Sequence, residues 1–163
     1  MNMNFLKMYT GQATLMQKIE EKHPANGEDR STMKFVGMLT EFAECINEHR
    51  EFKFWSDNRK PTESLLEEFN DGIHWLLELG IDNEFYVTEN YTLICEEGTV
   101  AGQFIAVLDQ AIYFIKNQNY QSYANLFAAY LGLGNLMGFS TDQIEKAYFL
   151  KNEINMNRQE TGY

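Results

Sequence analysis

The sequence predicts an all-α fold, a bundle of about six helices in a single domain spanning residues 1–163. Apolar residues recur at intervals of three and four along most of the chain, which is the spacing of a helix face. The 163 residues include only two prolines, so long segments lack a helix breaker. Hydrophobic residues make up 44% of the chain, enough for one domain with its own core.

The first two helices are predicted over residues 3–23 and from Ser31 or Thr32 to about Arg50. A His-Pro-Ala-Asn-Gly run ends the first helix, because proline disfavours helical backbone at the residue before it. A hydroxyl of Ser31 or Thr32 is expected to cap the second helix. Its apolar stripe consists of Phe35, Leu39, Phe42 and Ile46.

The third helix is predicted to begin at a Thr62 cap and to end at Gly80, a residue type favoured just after a helix. Residues 81–97 have mixed polarity and are predicted to form an irregular connection with room for a short extended piece. Three further helices are predicted over residues 99–117, 120–137 and 142–157. The first two of these are apolar around much of their circumference, so a subunit interface is expected to cover them.

The charge balance narrows the possible partners. The chain has 13 basic and 24 acidic residues, giving a formal charge of −11, which disfavours direct nucleic-acid binding. No apolar run has the length of a membrane span, and no signal-peptide pattern is present. Cys45 and Cys95 lack metal-site or redox spacing and are expected to be reduced. These features predict a cytoplasmic protein that does not bind membranes.

Two acidic pairs suggest a metal site. Glu41 and Glu44 lie three residues apart on the second helix, and Glu68 and Asp71 lie three apart on the third. Residues at this spacing project from nearly the same helix face, so the like charges repel. A hard cation such as Mg²⁺ or Mn²⁺ would relieve that repulsion. On spacing alone, a solvated acidic surface explains the pairs as well as a metal site does.

The arrangement Glu41-x-x-Glu44, a gap of 23 residues and Glu68-x-x-Asp71 resembles the signature of the all-α nucleoside triphosphate pyrophosphohydrolases of the MazG-like superfamily. Three further segments are similar to the dimeric dUTPase family. They are Phe-Lys-Phe-Trp-Ser at 52–56, Asp-Gly-Ile-His-Trp at 71–75, and Lys-Asn-x-x-Asn-x-x-Arg-Gln-x-x-Gly-Tyr at 151–163. Superfamily members often carry a further Glu at the position of Thr40.

The resemblance implies a set of site residues. Two or three Mg²⁺ ions, with Mn²⁺ as an option, would be bound by Glu41, Glu44, Glu68 and Asp71. Glu41 would orient the attacking water, with Glu48 in reserve. The implied substrate-binding residues are Lys151, Arg158 and Tyr163 for the phosphates, Asn155 for the uracil edge, Trp55 for stacking on the base, and Gln17 and His74 as further base-pocket groups.

Several of these residues also have a purely structural explanation. Trp55 could be an ordinary core anchor. His74 could hydrogen-bond a carboxylate in the core. Lys151 and Arg158 suit the end of a helix through the macrodipole alone. None of these explanations accounts for the whole of the segment that begins at Lys151.

The resemblance implies Mg²⁺-dependent hydrolysis of dUTP, and also of dUDP, to dUMP with release of pyrophosphate or phosphate, by a homodimer. Two alternatives remain at this point. One is a sister enzyme that hydrolyses dCTP or non-standard triphosphates with the same carboxylates. The other is a non-enzymatic helical interaction module. Residues 151–163 are expected to be loose without ligand and to close over the nucleotide.

Overall fold

Six α-helices form the part of the chain that the computed structural model describes, which comprises residues 3–88, 92–95 and 98–162. The prediction of an all-α bundle of about six helices is confirmed, and these described residues contain no strand. The helices are α1 (Phe5–Lys22), α2 (Ser31–His49), α3 (Leu65–Asp82), α4 (Val100–Asn117), α5 (Tyr120–Leu136) and α6 (Thr141–Thr161).

The starts of α2 and α3 differ from the predicted caps. Neither Ser31 nor Thr32 caps α2; the Asp29 carboxylate accepts a hydrogen bond from the Ser31 backbone N–H at 2.9 Å instead. The Thr62 hydroxyl donates to the Glu48 carboxylate, and α3 begins three residues later. At α2 the Asp29 carboxylate therefore takes an N–H bond that the sequence pattern assigned to a hydroxyl, and at α3 the Thr62 hydroxyl bonds Glu48 and does not cap the helix.

The prediction that α3 ends at Gly80 is wrong, because the helix continues to Asp82. A Cβ atom at Gly80 would lie 2.3 Å from the Tyr123 hydroxyl, which donates to the Leu76 carbonyl at 2.9 Å. Gly80 therefore permits the close approach of α5 to α3, and it does not terminate the helix.

Helix α3 is the centre of the bundle and contacts α1, α2, α5 and α6. Its Phe69 ring stacks on Tyr130 of α5 with ring centroids 4.6 Å apart. The Phe42 ring of α2 stacks on the same Tyr130 at 4.3 Å. This aromatic layer holds α2 and α3 side by side, with the acidic faces of both helices next to each other.

Helices α4 and α5 pack against each other, but their exposure differs. Helix α5 is buried along most of its length within the chain itself. Helix α4 leaves three large apolar side chains in solvent: Ile105, Ile112 and Tyr113. Among the described helices, none combines the length and apolar character that crossing a bilayer requires.

Helix α6 extends four residues beyond its predicted end, to Thr161. Asn152 donates to the Gly11 carbonyl of α1 at 3.3 Å, and Lys18 of α1 pairs with Glu160. The segment that the sequence predicts to be loose is therefore helical up to Thr161, and Asn152 and Glu160 of this segment contact α1. Closure of this segment over a nucleotide stays a prediction.

Candidate active site

Three glutamates of the two acidic pairs converge between α2 and α3. Each of Glu41, Glu44 and Glu68 offers a carboxylate oxygen that lies within 4.8 Å of the oxygens offered by the other two. The helix period places Glu41 and Glu44 on one face of α2, and the aromatic layer brings that face next to Glu68 on α3. Glu44 is exposed, and the other two are partly buried.

Negative charge dominates the electrostatics around Glu41 and Glu68, and Lys151 compensates part of it at Glu68. Burial raises the pKa of Glu41 to about 7, and repulsion from Asp71, Glu44 and Glu68 adds to the shift. Burial also raises the pKa of Glu68, again with a contribution from Asp71. Carboxylates with raised pKa values gain most when a cation binds, because the cation removes the repulsion that opposes ionisation.

The fourth acidic residue, Asp71, contacts a buried lysine. The ammonium group of Lys151 lies 2.8 Å from an Asp71 oxygen and 2.7 Å from Glu67. Burial raises the pKa of Asp71, although Lys151 opposes this shift. Burial lowers the pKa of Lys151, but its bonds to Asp71 and Glu67 outweigh burial, so the net shift is upward and the lysine stays charged.

A single cavity of about 700 Å³ joins the acidic residues to the cationic and amide side chains of α6. Its lining includes most of the residues that the sequence singled out: Glu41, Glu44, Glu68, Asp71, His74, Lys151, Asn155 and Arg158. Arg158 donates to the Asn155 side-chain oxygen at 3.2 Å. The cavity therefore brings together residues of α2, α3 and α6. Among those named, Glu41 and Arg158 are the farthest apart in the sequence, by 117 positions.

His74 is fixed by a glutamine that the sequence analysis did not select. Its Nδ1 lies 2.7 Å from the Gln12 carbonyl oxygen, and its ring stacks on Tyr148 at 4.4 Å. Burial lowers the pKa of His74 to about 3, so the ring is neutral and Nδ1–H is the donor to Gln12. The buried Nε2 has no hydrogen-bond partner among residues 3–88, 92–95 and 98–162.

The position of Gln12 in the sequence indicates that its side chain is buried. It lies four residues after Met8 and three before Leu15, so it occupies a core position of α1 with a polar side chain. A buried amide requires partners, and Gln12 has them in His74 and in Glu78, to which its nitrogen donates at 3.3 Å.

Three of the selected residues, Glu48, Trp55 and Gln17, do not line this cavity. The Glu48 carboxylate binds the hydroxyls of Thr62 and Ser64 and does not line the cavity. Trp55 lies on the connection between α2 and α3, is 67% exposed, and is absent from the cavity lining. Gln17 lines an adjoining cavity, which shares residues with the first. Tyr163 lies outside the described residues.

The model of a protein family described as dUTPase matches residues 4–163, which is nearly the whole chain. The chain belongs to the dUTPase family. A comparison with curated proteins gave no match. Membership confirms the family predicted from the acidic and segment motifs, and it makes the chain a dUTP-hydrolysing enzyme rather than a non-enzymatic module. Enzymes of the dUTPase family generally use a divalent metal ion, and the glutamate trio is a candidate site for one.

Proposed function

We propose that this dUTPase requires Mg²⁺, acts on dUTP and dUDP, releases dUMP with pyrophosphate or phosphate, and works as a homodimer in the cytoplasm. The observation that carries the proposal is the shared cavity, in which Glu41, Glu44 and Glu68 face the cationic groups of α6. Acidic groups suit metal ions, and cationic groups suit the phosphates that those ions accompany.

The donor set fits Mg²⁺ or Mn²⁺. Glu41, Glu44, Glu68 and Asp71 offer carboxylate oxygens, the ligand type that hard divalent ions prefer. We propose that two or three ions bind there. When bound, they would neutralise phosphate charge and lower the pKa of a bound water. The raised pKa of Glu41 supports this assignment, since an ion would relieve the repulsion that causes part of the shift.

The chain's own residues would position the substrate and the water. We assign the water-orienting role to Glu41, because it lines the cavity and the Glu48 carboxylate is engaged by two hydroxyls. Lys151 and Arg158 would donate to phosphate oxygens. The Asn155 oxygen accepts from Arg158, which leaves its amide N–H groups to donate to uracil.

The base-binding assignments rest on the same cavity and its neighbour. His74, whose ring burial keeps neutral, lines the cavity, and we propose it as a further base-pocket group. Gln17 lines the adjoining cavity and can extend the base site. The stacking role of Trp55 and the phosphate role of Tyr163 stay predictions.

The proposed dimer has support from α4. Ile105 is 65% exposed, Tyr113 is 53% exposed and Ile112 is 42% exposed, on a helix whose other face packs on the core. Covering such residues with a second copy would remove apolar surface from water. The free thiols of Cys45 and Cys95 support the proposed cytoplasmic location.

The test is product release from a nucleotide panel containing dUTP, dUDP, dCTP, dTTP and UTP, measured with Mg²⁺ and with a chelator. We expect turnover of dUTP and dUDP in Mg²⁺ only, and its loss in Asp71→Asn. Glu63→Gln, which changes an exposed acid outside the cavity, is the matched control and should keep full activity. Faster turnover of dCTP would refute the substrate assignment, and turnover in chelator would refute the metal requirement.

A further inference from the structure

We propose that Glu78 is a positioning residue that fixes the orientation of the Gln12 amide, and through it the position of the proton on His74, and that this arrangement contributes to the selection of dUTP over dCTP. Glu78 lines the cavity, but it is neither a carboxylate of the proposed metal site nor a proposed substrate-binding residue. The inference rests on the proposed function, in which His74 is a base-pocket group.

The first observation is that each oxygen of the Glu78 carboxylate has its own partner. One oxygen lies 3.0 Å from the Lys34 ammonium group, which also pairs with Asp82 at 2.6 Å. The other oxygen accepts a hydrogen bond from the Gln12 side-chain nitrogen at 3.3 Å. The side chains of Glu78 and Lys34 are 16% and 21% exposed, so this ion pair is largely protected from solvent. An ionised carboxylate only accepts hydrogen bonds, and the group of Gln12 that faces it must therefore be the NH₂.

The second observation is the contact that follows from this orientation. With its nitrogen turned to Glu78, Gln12 turns its oxygen to His74, whose Nδ1 lies 2.7 Å away. An oxygen that accepts at this distance requires a donor, so Nδ1 carries the ring proton and Nε2 does not. The Tyr148 hydroxyl does not replace this donor, because it lies 3.4 Å from the Gln12 oxygen and donates to the Met8 carbonyl at 2.8 Å. The Glu78 carboxylate therefore determines the tautomer of the ring through Gln12.

Fixing these groups matters for base selection, because each of them has two hydrogen-bonding patterns. A free glutamine amide turns over to exchange its acceptor for its donors, and a neutral histidine exchanges them by moving its proton. Uracil and cytosine differ by the same exchange at position 4, where uracil has a carbonyl acceptor and cytosine has an amino donor. Gln12 and His74 both line the cavity. A wall held in one arrangement suits one of these bases, whereas a wall free to rearrange would adapt to both.

The first test is Glu78→Gln, which keeps the shape of the side chain and gives it a donor group. The Lys34 ammonium attracts the new amide oxygen and repels its NH₂, so the NH₂ turns to Gln12. Gln12 must then present its oxygen to position 78 and its nitrogen to His74, which moves the ring proton to Nε2. We expect the ratio of kcat/KM for dUTP to kcat/KM for dCTP to fall by about tenfold, the scale of one hydrogen bond.

Asp82→Asn is the matched control. It also removes a negative charge beside Lys34, but it leaves the contact between Glu78 and Gln12 in place. Asp82 does not line the cavity. This variant should therefore keep the ratio of the unchanged protein, which separates the orientation of the amide from a general effect of charge.

The second test reads the tautomer directly, by ¹⁵N NMR of the histidine ring nitrogens without metal or nucleotide. The chain has three histidines, and the variants His23→Gln and His49→Gln identify the signals of the other two. His74 should carry its proton on Nδ1 in the unchanged protein and in Asp82→Asn, and on Nε2 in Glu78→Gln. A role of Glu78 confined to core packing would leave the tautomer unchanged.

The proposal is overturned if His74 carries its proton on Nε2 in the unchanged protein, a result that needs no variant to fold. It is also overturned if Glu78→Gln, folded as judged by circular dichroism, keeps the proton on Nδ1 or keeps the substrate ratio of the unchanged protein. Failure of the proposed function gives a different result: the unchanged protein would then not hydrolyse dUTP with Mg²⁺, or would prefer dCTP, while the NMR measurement would still report the tautomer set by Glu78.

Discussion

Replacing Glu41 by glutamine should stabilise the metal-free protein at pH 8. The pKa of Glu41 is raised from 4.5 to about 7 in the folded chain, so ionisation of this group opposes folding. The folded state holds its proton more tightly than the unfolded state does. Stability is therefore lost as the pH rises from about 4.5 to about 7, and glutamine, which cannot ionise, avoids that loss.

The magnitude follows from the size of the shift. Each pKa unit corresponds to about 1.4 kcal/mol, so the full shift would be worth about 3 kcal/mol. Glu41 is only partly buried, and solvent screening reduces this to about 1–2 kcal/mol. We expect Glu41→Gln to raise the free energy of unfolding by that amount at pH 8 and by well under about 1 kcal/mol at pH 5.

The assay is urea unfolding in chelator at both pH values, repeated with Mg²⁺. Mg²⁺ should stabilise the unchanged protein more than the variant, because a ligand stabilises the state that binds it. With Mg²⁺ the unchanged protein should therefore have the higher free energy of unfolding, the reverse of the order in chelator at pH 8. Glu48→Gln is the control on the same helix; its carboxylate accepts from Thr62 and Ser64, so it should show neither the gain at pH 8 nor the reversal. A Glu41→Gln protein less stable than the unchanged one at pH 8 in chelator would refute the reasoning.

Four further outcomes are expected. Glu44→Gln and Asp71→Asn should each abolish Mg²⁺-dependent turnover while circular dichroism stays unchanged; near-normal hydrolysis would show that the site is misplaced. Gly80→Ala should lower the free energy of unfolding by about 1–3 kcal/mol, because the methyl group would collide with Tyr123. Sedimentation should give twice the chain mass of 19.0 kDa, and Ile105→Glu should reduce it to the monomer; a monomeric unchanged protein contradicts the dimer. Deleting residues 158–163 should sharply reduce kcat/KM for dUTP, and full activity would contradict the role assigned to this segment.

Helix identity and the acidic pairs were predictable because both depend on local spacing. The stripe that includes Phe42 defines α2, and the interval of three residues puts Glu41 beside Glu44 whatever the rest of the chain does. Helix ends were less predictable. Gly80 has the residue type of a helix end, yet it lies inside α3, because the close approach of Tyr123 requires glycine there.

The composition of the cavity needed the tertiary structure, because its contacts join residues far apart in the chain. Lys151 contacts Asp71, which lies 80 positions earlier, and no local pattern indicates that it pairs with that carboxylate as well as with a phosphate. Gln12 and His74 are also far apart in the sequence, and a hydrogen bond joins their side chains. Trp55 belongs to a segment that resembles the family, but its side chain is exposed to solvent. The tryptophan that lines the cavity is Trp75 of α3. Local spacing determines which side chains share a helix face, and only the packing of the helices decides what that face meets.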